Sequence, residues 1–216
     1  MQHAFRSLLL CAVFLGTSLL ANAQKSFEGT IVYTIDFSGE GLPPEAKQMM
    51  AGSEMSVVMK GDMTRTDLHM AMQNTTAISD AKAKSSYTLM DIMGQKYKIV
   101  SKADDKKPDV KVKELTETKD IAGYKCKKAE LTIEGQTEPV IVYYTDEIAN
   151  NGYNSQIKGI KGYPLQFEVS QGGMKIAYSA KSVTKEKIED TKFVVDSKDY
   201  KEVTQEDLQK MMSGAH

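Results

Sequence analysis

The chain has 216 residues, 41% of them hydrophobic and 26% charged, with 28 Lys and Arg against 29 Asp and Glu and a net charge of −1. Near-neutrality, with lysines spread along the chain, leaves no electrostatic footprint for nucleic acid or for an anionic membrane surface. Two cysteines are too few for a disulfide scaffold, and the three histidines and two cysteines show no cysteine–histidine metal spacing.

The N-terminus carries Arg6 and no acidic residue, then an apolar run from Leu8 to Leu20, then Ala21-Asn22-Ala23 ahead of Gln24. Basic, apolar, then small-x-small is the order that a signal peptidase reads, so residues 1–23 are expected to be a cleaved signal peptide. The run is too short to span a bilayer core, which takes about 20 residues, and no cysteine follows it to be acylated. We expect a single domain, residues 24–216, periplasmic or secreted, with no transmembrane segment once the signal is cleaved. Loss of Arg6 leaves 27 basic against 29 acidic side chains, a net of −2. Cys11 leaves with the leader, so Cys126 has no disulfide partner and reads as a small buried hydrophobe.

Beyond the leader, two-residue alternation recurs. In the first stretch Phe27, Ile31, Tyr33, Ile35 and Phe37 oppose Thr30, Thr34 and Asp36, the pattern of a strand buried on one face. Eleven strands are expected, near 27–37, 54–60, 63–70, 73–79, 86–93, 95–101, 111–118, 126–134, 138–146, 163–171 and 174–184. Gly61-Asp62, Gly94-Gln95, Gly135-Gln136 and Gly172-Gly173 fall between neighbours as hairpin turns. A short helix is expected at 43–52, with proline at its start and Gly52 at its end. A terminal helix is expected at 205–212, with Thr204 capping, Asp207 at the third position and Val203 packing on Leu208. The charged stretch 102–109 reads as an exposed loop. Residues 146–162, rich in glycine and asparagine, read as irregular, with room for a short helix near Glu147.

Three segments resemble the bacterial domain of unknown function 4412 family, common in exported proteins of the Bacteroidota. They are Phe27 to Tyr33, the polar hairpin Val58 to Arg65, and Thr118 to Ala129 with its Ile121-Ala122-Gly123-Tyr124 core. The resemblance implies a lipoprotein-carrier-like fold: mainly β (α+β), a curved antiparallel sheet forming an incomplete barrel covered by two or three short helices, around a hydrophobic cavity. It supplies no catalytic residues.

The residues themselves point the same way on chemistry. With the leader gone, only His69 and His216 remain, and no nucleophile has a base beside it in sequence. We therefore expect a non-enzymatic protein without cofactor or metal. Methionine is the compositional oddity: nine of 13 lie between Met49 and Met93. Met55, Val57 and Met59 share one strand face, and Met70 and Met72 share one if that strand runs on. These five are the candidate ligand-binding residues, because thioethers adapt to varied apolar shapes. Core filling and a Cu(I) thioether site helped by His69 are the alternatives. The expected partner is thus a lipid or other apolar small molecule, or failing that another envelope protein in a stress-related scaffold.

Overall fold

The computed structural model describes residues 26–39, 42–101, 109–155, 157–171 and 173–213. The expected leader and nearly all of the 102–109 loop lie outside them. Within them, alternation becomes strand throughout: β1 (Gly29–Ser38), β2 (Glu54–Lys60), β3 (Met63–Met70), β4 (Gln73–Asp80), β5 (Ser85–Ile92), β6 (Gln95–Ser101), β7 (Val110–Ile121), β8 (Tyr124–Ile133), β9 (Val140–Ala149), β10 (Gly162–Gln171) and β11 (Met174–Lys185). Helix α1 (Pro44–Met50) and helix α2 (Gln205–Ser213) stand where expected, and a 3-10 turn (Asp190–Phe193) and the short β12 (Lys201–Val203) are added. There is no helix at Glu147. That residue lies in β9, whose Thr145 and Ile148 are buried and which pairs with β10.

All twelve strands form one sheet in the order β12-β6-β5-β4-β3-β2-β1-β11-β10-β9-β8-β7. The chain starts at its centre, meanders to one side through β6, reappears at the far edge in β7 and meanders back until β11 pairs with β1. Every pairing is antiparallel except β12 on β6. Backbones approach so closely at the central seam that a Cβ on Gly29 would sit 2.1 Å from the Thr184 carbonyl oxygen. Only glycine fits there.

Two hairpins close on two-residue loops whose central residues both have positive φ: Met93 (51°) with Gly94 (84°), and Ala122 (48°) with Gly123 (84°). That is the type I′ turn whose twist matches its strands. Met93 is 75% exposed, so its side chain gains little packing for the left-handed backbone. Met93→Asn should raise unfolding stability by about 1 kcal/mol, the left-handed penalty for an ordinary side chain, as read by urea denaturation.

One sheet face carries the main core. Ile31, Tyr33, Ile35 and Phe37 of β1 join Met55, Val57 and Met59 of β2 and Leu131, Val142, Leu165 and Phe167 of the other meander. On the opposite face Ile78 and Leu89 are buried, as are Ile188, Phe193 and Leu208 of the C-terminal run. That run is tied down by Lys60 Nζ donating to the Ile188 carbonyl (2.8 Å), Arg65 Nη1 donating to the Lys192 carbonyl (3.0 Å), and β12 on the β6 edge.

The sheet must curl. Tyr153 lies four residues beyond the end of β9, yet its carbonyl accepts from Ser79 Oγ of β4 at 2.8 Å. Those two strands are six places apart in the sheet, about 29 Å if it were flat, whereas four residues reach only about 14 Å.

The helices do not cover the hollow, contrary to expectation. Helix α1 buries no residue and contacts β1, because seven residues with Met50 as their main inward anchor cannot present a wide apolar stripe. Helix α2 follows β12 beyond the β6 edge. Its expected cap is present: Thr204 Oγ1 accepts from the Asp207 amide (3.0 Å) and Asp207 Oδ2 accepts from the Thr204 amide (3.2 Å).

Candidate functional site

The hollow is occupied by the connection between β9 and β10, a strap whose described residues are 150–155 and 157–161. Asparagine makes a compact crossing possible, because its side chain can replace backbone partners in a turn. Asn151 Oδ1 accepts from the amides of Tyr153 (2.9 Å) and Asn154 (3.0 Å), and Asn150 Nδ2 donates to the Ile157 carbonyl (2.7 Å). Asn154 Nδ2 donates to the Ala149 carbonyl (2.8 Å) and reaches Met59 Sδ at 3.6 Å. Beneath, the Tyr163 hydroxyl donates to the Asn154 carbonyl (2.8 Å), and the Tyr33 hydroxyl to the Pro164 carbonyl (2.7 Å). Burial foremost pushes both phenols well above their ordinary pKa, so they act as neutral donors.

Between strap and sheet lies a cavity of about 240 Å³. Tyr33, Met55, Val57 and Phe167 make an apolar floor, while Thr66, Ser79, Ser86 and Thr88 bring hydroxyls from β3, β4 and β5. Tyr153, Asn154, Ser155 and Lys158 of the strap close it. Cross-strand register explains the hydroxyl wall: Thr66 stands opposite Ala77, and Ala77 opposite Thr88, on the face that Val57 shares.

The five candidate residues therefore separate. Met55 and Val57 line the cavity, and Met59 is buried beside Asn154. Met70 ends β3 and pairs with Gln73, which places Met72 in the turn, 49% exposed, so Met70 and Met72 do not share a strand face. The thioethers are split between core and exposed turns and do not converge with His69, whose Nδ1 is 2.9 Å from Asn74 Oδ1. The strap and the hydroxyl wall went unread in the sequence. Threonine and serine at inward positions of β3 and β5, where a core strand would carry Val or Leu, were the available signal.

Cys126 is fully buried, and burial above all, with Asp120 and Glu147 adding to it, pushes its thiol up to about 11. The thiolate is the reactive form. Iodoacetamide at pH 7 should leave Cys126 unlabelled in the folded chain and label it in denaturant, as read by intact mass. Among the described residues, no three His, Cys, Asp or Glu side chains are grouped to hold a metal, and no helix is long and apolar enough to cross a membrane.

The fold and site define a β-module: one large open sheet curled around a strap, with a small cavity of mixed polarity. More particularly, the chain belongs to the family described as the N-terminal domain of peptide N-glycanase, whose model matches residues 43–208. Two solved structures of PNGF-II, in space groups P21 and C2, share its fold. Each superposes with a TM-score of 0.55 at 18% identity, covering 86% of this chain and 33% of the longer one. The chain thus spans about a third of the length of those proteins. No curated protein matches it.

This assignment overturns the resemblance to the domain of unknown function 4412 family and to the lipoprotein-carrier fold. The segments that suggested it are a strand and two hairpins, Gly61 (φ 58°) and Ala122-Gly123 among their turn residues. Such turn chemistry is required by any antiparallel meander, so it does not single out a family.

Proposed function

We propose that this chain is an exported, non-catalytic binding module of a glycan-processing system, and that the cavity beneath the strap holds a small amphipathic molecule. The cavity's mixed wall carries the reading: an apolar floor of Tyr33, Met55, Val57 and Phe167 against four side-chain hydroxyls. A volume of about 240 Å³ lies below the usual range of roughly 300–1,000 Å³ for ligand pockets. A ring-sized occupant fits that space and that wall better than an acyl chain, which has no use for the hydroxyls. Membership of the N-glycanase N-terminal family supports an accessory role, since the chain covers one third of the solved PNGF-II chain.

Native mass spectrometry of the chain purified from its own envelope fraction tests the binding role, together with calorimetry on benzyl alcohol, glucose and palmitate. A ring-sized ligand should bind, and Ala77→Leu, which fills the cavity, should abolish it. Palmitate binding alone, or no ligand from either source, would sink the reading. Export is tested by N-terminal sequencing, which should begin at Gln24. A second reading, a protein-binding scaffold without small ligand, is favoured by the strap's crossing of the hollow, and pull-down of a stoichiometric envelope partner by ligand-free chain would support it.

A further inference from the structure

Past the strap, on the side away from the first cavity, a second and larger hollow of about 780 Å³ opens at the β7 edge. This volume lies within the usual range of roughly 300–1,000 Å³ for small-molecule sites. Glu114 of β7, Lys127 of β8, and Tyr144 and Asp146 of β9 form one wall, and Gly159 to Lys161 of the strap form the other. The strap is pressed against the sheet here: a Cβ on Gly159 (φ 89°) would lie 2.8 Å from Val110 Cγ1. A larger residue at 159 would lift the strap and open that wall.

The polar groups are held in defined states. Tyr144 is buried, and its hydroxyl donates to Glu114 Oε1 at 3.2 Å. Lys127 pairs with Asp146. A carboxylate offers about four acceptor positions, so the one bond from Tyr144 leaves Glu114 able to accept more. Among the described residues, the ionic groups lining the hollow are two carboxylates, Glu114 and Asp146, and two ammoniums, Lys127 and Lys161. With signs balanced, the hollow has no net field to select an anion or a cation. Val112 and Ile160 add aliphatic surface beside these groups.

We propose that this cleft binds a neutral oligosaccharide, independently of what occupies the cavity beneath the strap. Sugar hydroxyls both donate and accept, which suits a wall that alternates carboxylates with ammoniums. The C–H face of a pyranose suits the exposed Val112 side chain. Because β7 is the last strand of the sheet, no strand among the described residues closes the cleft at its side, and a chain of sugars can lie across it without threading.

Isothermal calorimetry on the full mature chain with maltohexaose, mannohexaose, cellohexaose and chitohexaose provides the test. At least one should bind, and Glu114→Gln should weaken it about tenfold or more, about 1.4 kcal/mol. Ala77→Leu, which alters only the cavity under the strap, should leave that binding unchanged. If Glu114→Gln lowers thermal stability, Lys161→Met at the exposed end of the strap provides the second variant and should also weaken binding. No binding by any of the four would overturn the proposal. So would binding indifferent to both variants, or binding of polygalacturonate or cationic chitosan oligomers in preference to all four.

Discussion

Tyr163→Ala should lower unfolding stability by about 3–5 kcal/mol, the range for deleting a large buried aromatic, and should release the strap. Tyr163 is 2% exposed, and its hydroxyl is the direct tie from the β10 floor to the Asn154 carbonyl. The substitution removes the ring, leaves a void next to Tyr33, and strips a buried carbonyl of its donor. Tyr163→Phe keeps the ring and removes only the donor, so its cost should be about 1–3 kcal/mol. Urea denaturation gives both values. Limited trypsin digestion separates a loosened strap from a weakened core: new cleavage at Lys158 or Lys161 in Tyr163→Phe, before global unfolding, is the expected pattern. If Tyr163→Phe matches the parent in both assays, the strap is held by its asparagine network and not by this tie.

Arg65→Ala should cost about 2 kcal/mol at pH 7, less than the 3–5 kcal/mol for breaking a fully buried pair because this one keeps contact with water. The Arg65 guanidinium forks onto Asp67 (Nε to Oδ2 2.6 Å, Nη2 to Oδ1 2.9 Å), Thr76 Oγ1 donates to the same carboxylate (2.7 Å), and the two side chains are 25% and 16% exposed. Burial pushes the Asp67 carboxyl upward, but the hydrogen bonds from Arg65 and Thr76 outweigh it and hold its pKa below the ordinary value. A carboxylate with a depressed folded pKa adds stability above its unfolded pKa of about 3.9 and loses it as pH falls through the folded value. The difference between parent and Arg65→Ala should therefore be full at pH 7 and shrink below about pH 4. A difference that is flat with pH would mean that Arg65 acts through its bond to the Lys192 carbonyl and not through Asp67.

Sequence periodicity located the strands well, for a local reason. Most are bounded by turn residues and buried on one face, so Phe27 to Phe37 or Leu165 to Val169 announces itself without reference to any partner. The same holds for the Thr204 cap, which satisfies amides within its own first turn. Among what escaped, two stretches borrow their structure. Lys201–Val203 becomes strand only because β6 offers an open edge to pair with. Glu147 follows the β9 ladder despite the polar residues around it.

The candidate site was legible only in its floor. Met55 and Val57 stand out by alternation, but the hydroxyls of Thr66, Ser79, Ser86 and Thr88 come from three strands, and nothing local says that they face one space. The strap was read as irregular, which it is, without any hint that it crosses the hollow.

Periodicity and turn chemistry in this chain were enough to establish a β-rich fold made of hairpins, because those properties depend on neighbours within a few residues. Which faces meet, how far the sheet curls and what fills it depend on pairings such as β1 with β11, about 150 residues apart in the chain, and Ser79 with Tyr153. The free energy of those contacts exists only once the sheet has formed. Tertiary structure alone therefore turned an expected helix-covered, methionine-lined cavity into one roofed by an asparagine-rich strap and walled by hydroxyls.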